Sequence, residues 1–214
     1  EKIETIYEQP FSYIEEVINS SVPADGVSER FLKAKLKKAD GTEAVDDNDS
    51  AVEFSVSSGA NFGEVITKSV KVTKGIAETT IKSKTKSGIM KVRAEVANVP
   101  INEFNIYVEP LDPEVISVEN APGVLASGGN SRSSLKMTLR DKNGNIAHRG
   151  TNNLTLKASG PILLETDDED SETEGIQLSS VDGTYVVTVL SADSGSGTAT
   201  IEASSGTTKK TISI

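Results

Sequence analysis

A stretch that occurs twice constrains this chain more than any other feature. Val22 to Val45, VPADGVSERFLKAKLKKADGTEAV, returns as VLASGGNSRSSLKMTLRDKNGNIA, Val124 to Ala147. Recurrence at that spacing implies two copies of one folding unit, and 214 residues suffice for two units that each bury a core. In each copy a turn-forming segment, Ala24-Asp25-Gly26 or Ala126-Ser127-Gly128-Gly129, leads into an alternating strand that stops at Asp40-Gly41 or Asn143-Gly144. Gly and Asn accept positive φ, so such pairs reverse one strand into the next.

Between the turns the side chains alternate with period two, which sends successive residues to opposite faces of a strand. Leu32, Ala34 and Leu36 point to one face and Lys33, Lys35 and Lys37 to the other. The same reading gives an opening strand over Tyr13 to Ile18, then strands on Val52-Phe54-Val56, Val70-Val72, Ala77-Thr79-Ile81, Met90-Val92-Ala94-Val96 and Phe104-Ile106-Val108. The second copy predicts Val115 to Val118, Leu135-Met137-Leu139, Leu154-Leu156, Ile176-Leu178, Tyr185-Val187-Val189, Ala199-Ile201-Ala203 and Thr211 to Ile214. No long amphipathic helix is predicted, and about seven short strands per unit imply an antiparallel sandwich. Glu109-Pro110-Leu111-Asp112-Pro113 marks the boundary, because proline fixes φ and cannot donate to a ladder. Ile6-Tyr7-Glu8-Gln9-Pro10 resembles Ile106-Tyr107-Val108-Glu109-Pro110. The expected organisation is therefore 1–10, the end of a preceding unit or a linker; 11–110, domain one; and 111–214, domain two.

Together these residues resemble the bacterial immunoglobulin-like domains of the invasin and intimin type. That family carries an Ala-Asp-Gly element, a strand and an Asp-x-Asn-Gly-Asn-like turn, matched here by Ala24-Asp25-Gly26, Asp40-Gly41 and Asp141-Lys142-Asn143-Gly144-Asn145. Gly75-Ile76-Ala77 with Gly88 and Ala94, and Gly183-Thr184-Tyr185 with Gly197 and Ala203, are similar to its later strands; Ala126-Ser127-Gly128 departs from it. The resemblance implies an all-β chain of two tandem antiparallel Ig-like β-sandwiches. It implies a non-enzymatic structural or adhesive role as a rod-like stalk segment of an extracellular, cell-surface bacterial protein. Its partners would then be neighbouring domains of the same chain and host or envelope polymers. Two other readings stay open: a surface-layer lattice subunit fragment with lateral contacts and calcium, and a carbohydrate-binding accessory module of a secreted enzyme.

The charge of the chain narrows its partners. With 22 basic and 32 acidic residues the net charge is −10, which disfavours nucleic acid, since a phosphate backbone rewards clustered cations. Absent tryptophan and scarce aromatics weigh against a sugar-stacking platform, absent cysteine removes disulfides and thiolate sites, and no apolar run reaches membrane-spanning length. His148, the only histidine, sits beside Arg149 with no serine or carboxylate that the sequence can pair with it, and no phosphate loop or metal-binding histidine pair occurs. No catalytic residue and no obligatory cofactor is expected.

Two acidic runs supply the oxygen ligands that calcium takes: Asp46, Asp47 and Asp49, and Asp167, Asp168 and Asp170 within a run that reaches Glu174. Neither has the spacing of a calcium loop with glycine at its sixth position, and the second is expected to be a mobile surface loop. Glu109, Asp112 and Glu114 at the boundary are a third set of carboxylates. Lys33, Lys35, Lys37, Lys82 and, on the strand expected alongside, Lys71 would form one cationic sheet face able to meet an anionic partner. Asn19-Ser20-Ser21 and Asn48-Asp49-Ser50 match the glycosylation pattern.

Overall fold

The computed structural model describes residues 11–13, 21–38, 40–97, 99–147, 152–180 and 182–214. His148, segment 1–10, the Asn19 pattern and most of the predicted Tyr13–Ile18 strand lie outside them. The chain divides into two compact units, Glu1–Glu109 and Pro110–Ile214. Among the described residues every regular element is a strand.

The first unit contains β1 (Phe11–Tyr13), β2 (Ser21–Pro23), β3 (Glu29–Lys37), β4 (Ala51–Ser58), β5 (Gly63–Val65), β6 (Ser69–Lys71), β7 (Ile76–Ser83), β8 (Gly88–Val96) and β9 (Val99–Glu109). They form two sheets, ordered β1-β3-β7-β5 and β2-β9-β8-β4-β6. Every pairing is antiparallel except β2 on β9, which is parallel. This is the strand order of an immunoglobulin-like sandwich. Alternation places Leu32, Ala34 and Leu36 of β3 against Val52 and Phe54 of β4, Ala77 and Ile81 of β7, and Met90, Val92 and Ala94 of β8 in a single apolar core. With no cysteine present, that packing and the ladders carry the unit, each large apolar side chain contributing roughly 1.5–3 kcal/mol. Thr79, also buried, gives its hydroxyl to the Thr67 carbonyl at 2.6 Å.

The second unit repeats the plan with β10 (Val115–Asn120), β11 (Arg132–Arg140), β12 (Asn152–Ser159), β13 (Ile162–Glu165), β14 (Ile176–Ser180), β15 (Thr184–Ser191), β16 (Thr200–Ser205) and β17 (Thr208–Ser213). The sheets are ordered β10-β11-β15-β13 and β14-β12-β16-β17. Leu135, Met137, Leu139, Leu154, Leu156, Tyr185, Val187, Val189 and Ile201 fill the space between them. On β14 Ile176 and Leu178 pack against this core, as the alternation predicts. Ile176 and Leu178 are half-buried and Gln177 between them is buried. With its amide oriented to satisfy its surroundings, Gln177 donates to the Asp170 carbonyl at 2.8 Å and to the Gly175 carbonyl at 3.1 Å.

Each unit fastens its own side of the boundary. In the first, the Ala24 amide donates to the Glu109 carbonyl at 2.7 Å. In the second, the Leu111 amide donates to Asp141 Oδ2 at 3.0 Å, the Glu114 amide to the Arg140 carbonyl at 2.8 Å, and the Thr208 hydroxyl to the Pro113 carbonyl at 3.3 Å. Pro110 alone separates the two fastened residues.

Candidate functional site: acidic turns and a lysine-bearing face

The first acidic run turns the chain from β3 towards β4, and its carboxylates are used one by one. Asp47 Oδ1 accepts from the amides of Asp49 and Ser50, both at 3.0 Å, the arrangement by which an aspartate closes a turn on its own backbone. Partial burial opposes ionisation of Asp47, but the Ser50 hydroxyl and the Ser50 and Asp49 amides outweigh it and hold the carboxyl below its ordinary range. Asp46 Oδ2 lies 3.1 Å from Lys38 Nζ, and Asp49 Oδ1 lies 3.9 Å from Lys71 Nζ. Asn48 Oδ1 accepts the Lys74 amide at 2.9 Å, which ties this turn to the β6–β7 connection.

The second run is an exposed surface loop that hydrogen-bonds to the start of β14. Asp168 Oδ1 accepts the Gln177 amide at 2.9 Å and the Asp170 amide at 3.2 Å, while the Glu169 amide donates to the Gln177 carbonyl at 3.0 Å. Asp170 accepts the Thr173 hydroxyl at 2.6 Å and the Glu172 amide at 3.2 Å; these bonds, the hydroxyl first, lower its pKa. Asp167 lines an open depression with Glu169, Leu178 and Tyr185. Burial first, then the charges of Asp182 and Glu169, push the Tyr185 hydroxyl up to about 12. Among the described residues no group of three or more His, Cys, Asp or Glu side chains is arranged to hold a metal ion.

The lysines do not form one cationic face. β3 and β7 are neighbours as expected, but Lys71 lies on β6 in the opposite sheet, because the chain crosses between sheets after β5. On the β3–β7 face the cations alternate with carboxylates. Lys33 stands opposite Glu78 with Nζ 2.9 Å from Oε2, and Lys35 Nζ lies 3.9 Å from Glu43. Lys37 bridges to Glu43 through the backbone, and Lys82 is flanked in register by Glu29 on β3 and Glu64 on β5. Lys84, past the end of β7, donates to the Ala60 carbonyl at 2.8 Å. What the sequence presents as a run of lysines is an electrostatically mixed surface once the neighbouring strands are in place.

The repeated turns hold two aspartates whose roles the motif alone did not reveal. Asp25 Oδ1 accepts the amides of Ser28 at 2.7 Å and Val27 at 2.8 Å and the Ser83 hydroxyl at 3.2 Å; Oδ2 accepts the Ser28 hydroxyl at 2.5 Å. Burial raises its pKa, and these donors, the Ser28 hydroxyl foremost, more than reverse that and leave it at about 2. Asp141 is 1% exposed, and its carboxylate accepts the amides of Asn143, Asn145 and Leu111 and the Asn145 side-chain amide at 2.8 to 3.0 Å. The available signal was the Asp-x-Asn-Gly-Asn spacing, which places two amides behind one carboxylate.

No family model and no curated protein matches the chain. Among solved structures it is similar to InvD of Yersinia pseudotuberculosis, at TM-score 0.63 and 15% identity over 96% of this chain and 56% of that one. It is similar to invasin, a bacterial integrin-binding protein, at TM-score 0.60 and 21% identity over 95% of this chain and 39% of that one. A third likeness is to FdeC, an Escherichia coli adhesin, at TM-score 0.50 and 14% identity over 94% of this chain and 63% of that one. The chain thus spans 39 to 63% of the length of these three structures. The shared property is the fold, two tandem immunoglobulin-like sandwiches, as the turn motifs and alternation predict.

Proposed function

We propose that the chain is a non-enzymatic structural and adhesive module, a segment of the stalk of a bacterial cell-surface protein, displayed outside the cell. The observation that carries this reading is the boundary. Two sandwiches, each with its own core, are joined through one proline between residues that the units have already hydrogen-bonded. A connection with so few free backbone torsions suits a spacer that must limit bending. The likeness in fold to invasin and to the FdeC adhesin supports the same role. In this reading the acidic turns and the mixed β3–β7 face keep the module soluble, and contact with host or envelope polymers belongs to other parts of the protein.

The test is an exchange in the source bacterium. Antibody against the chain labels intact cells; deletion of the two units lowers attachment, and their replacement by an unrelated pair of Ig-like units restores it. Attachment lost on replacement would assign partner binding to this segment itself. Absence of surface labelling, or binding of the isolated chain to a glycan panel, would overturn the stalk reading.

A further inference from the structure

The outer face of the β3–β7–β5 sheet is ordered in rows that cross the strands. In the central row Phe31 stands opposite Thr80, and the Ile66 amide donates to the Thr80 carbonyl at 2.9 Å, which sets Ile66 on the far side of it. The row towards the start of β3 holds Glu29, Lys82 and Glu64, and the row on the other side holds Lys33 and Glu78. Alternation turns all of these away from the core, and Phe31 is 62% exposed and Ile66 49% exposed. An aromatic ring held in water between two charged rows is the centre and rim of a protein contact.

The two charged rows are opposite in sign at matching strands: Glu29 against Lys33 on β3, and Lys82 against Glu78 on β7. A half-turn about the central row lays a second copy face down on the first with its strands reversed. It sets Phe31 on its own counterpart and Ile66 likewise, Lys33 over Glu29 of the second copy and Glu78 over Lys82 of the second copy, and symmetry repeats both charged contacts. Lys33 Nζ already lies 2.9 Å from Glu78 Oε2 within one copy, so signs alternate along each row as well as across the contact. Glu64 falls past the end of β5 and meets no strand. The second unit lacks this property. The Ala44 amide donates to the Leu36 carbonyl and the Ala147 amide to the Leu139 carbonyl, so Glu29, Phe31 and Lys33 correspond to Arg132, Ser134 and Lys136. There the same half-turn sets Lys136 over Arg132, and Glu165, which shares the central row with Thr188, over its own counterpart. Like charges meet at both places.

We propose that this face of the first unit pairs with the same face of a second copy of the chain, in an isologous twofold contact centred on Phe31. The two rings supply the apolar centre, and the charged rows fix the register by penalising every arrangement that brings like signs together. With Lys35 and Ile76 one row beyond Lys33, and Lys84 one step beyond Lys82, the face has five rows. Rows about 6.8 Å apart on three strands about 4.8 Å apart cover roughly 500 Å² per copy. About 1,000 Å² in all belongs to the weak class of contact, so dilute copies stay monomeric and pairing follows where many copies are held close together. The pairing holds whether or not the chain serves as a stalk.

Sedimentation equilibrium of the full chain at low salt, from about 10 μM to about 1 mM, tests this. The parent is expected to pass from monomer towards dimer across that range, and Phe31→Asp to stay monomeric throughout. Lys33→Glu with Glu78→Lys keeps the ion pair inside each copy but sets like charges across the contact. That chain is expected to associate about 10-fold or more weakly than the parent at an unchanged melting temperature. Adding Glu29→Lys and Lys82→Glu to it returns opposite signs to the contact and is expected to recover the association of the parent. A parent that is still monomeric at about 1 mM would overturn the pairing, as would dimers that survive Phe31→Asp. A doubly exchanged chain that associates as tightly as the parent, or a fourfold exchange that recovers nothing, would refute the half-turn.

Discussion

Asp141→Ala is expected to destabilise the second unit far more than any other single change in the repeated turns. Asp141 is 1% exposed and its carboxylate takes four hydrogen bonds, three of them from backbone amides. A hydrogen bond to a charged group contributes roughly 1.5–3 kcal/mol, and each buried amide left without an acceptor costs about 1–3 kcal/mol. These terms overlap, and water reaches part of the turn after truncation, so the expected loss is about 3–5 kcal/mol. At about 4–8 °C per kcal/mol for a domain of this size, the midpoint of the second unit falls by more than about 10 °C. Asp141→Asn, which keeps the shape and one acceptor oxygen but turns an amide donor towards the Leu111 or Asn145 nitrogen, is expected to lie between. Urea unfolding of the full chain by circular dichroism, with hydrogen exchange to say which unit opens, measures the loss. A cost below about 1 kcal/mol, or a loss confined to the first unit, would refute the reasoning.

In the first unit, Asp25 is held at about 2 against an ordinary 3.8, so on acidification the unfolded chain protonates before the folded one. The stability it contributes is complete above about pH 4 and disappears as pH falls towards about 2. Asp25→Asn should flatten that dependence, and identical acid profiles for variant and parent would count against it. Lys33→Glu sets two carboxylates opposite each other on β3 and β7 and is expected to cost roughly 0.2–1 kcal/mol, with Glu78→Lys in the same chain restoring most of it; no recovery in the double variant would mean the pair is not coupled. Because Asp47, Asp168 and Asp170 already serve their own turns, millimolar calcium and excess chelator are expected to give the same melting temperature. A calcium-dependent rise of several degrees would show that one of these turns reopens around the ion.

Much of this architecture was legible in single residues. Leu32, Ala34 and Leu36 face the core and Lys33, Lys35 and Lys37 face away from it, as period two requires. The short strands at Ser21, Gly63 and Ile162 were not legible, since three or four residues carry no period and their pairing is decided by a distant partner. The burial of Gln177 was illegible for another reason. Its neighbours Ile176 and Leu178 alternate correctly, but the amide is needed beneath the acidic turn, and that demand exists only in three dimensions. The lysine face failed because proximity in sequence was read as proximity in the sheet, and the crossover to β6 carries Lys71 to the other layer. Acidic partners such as Glu78 and Glu64 arrive from other strands, so net charge along one strand says little about a face.

The parallel pairing of β2 with β9 also determines how the first unit responds to load. Pulling the N-terminal side of β2 against the C-terminal end of β9 draws two strands of like direction past each other along their axes. The inter-strand bonds from Ser21 to Glu109, including the Ala24 bond at 2.7 Å, are then sheared together instead of being unzipped in turn. Rupture under tension is governed by the unfolding barrier and not by equilibrium stability, so this patch of three paired residues sets a mechanical threshold out of proportion to its area. A few residues at the terminal edge thereby serve as the clamp that keeps the sandwich closed when the chain is pulled.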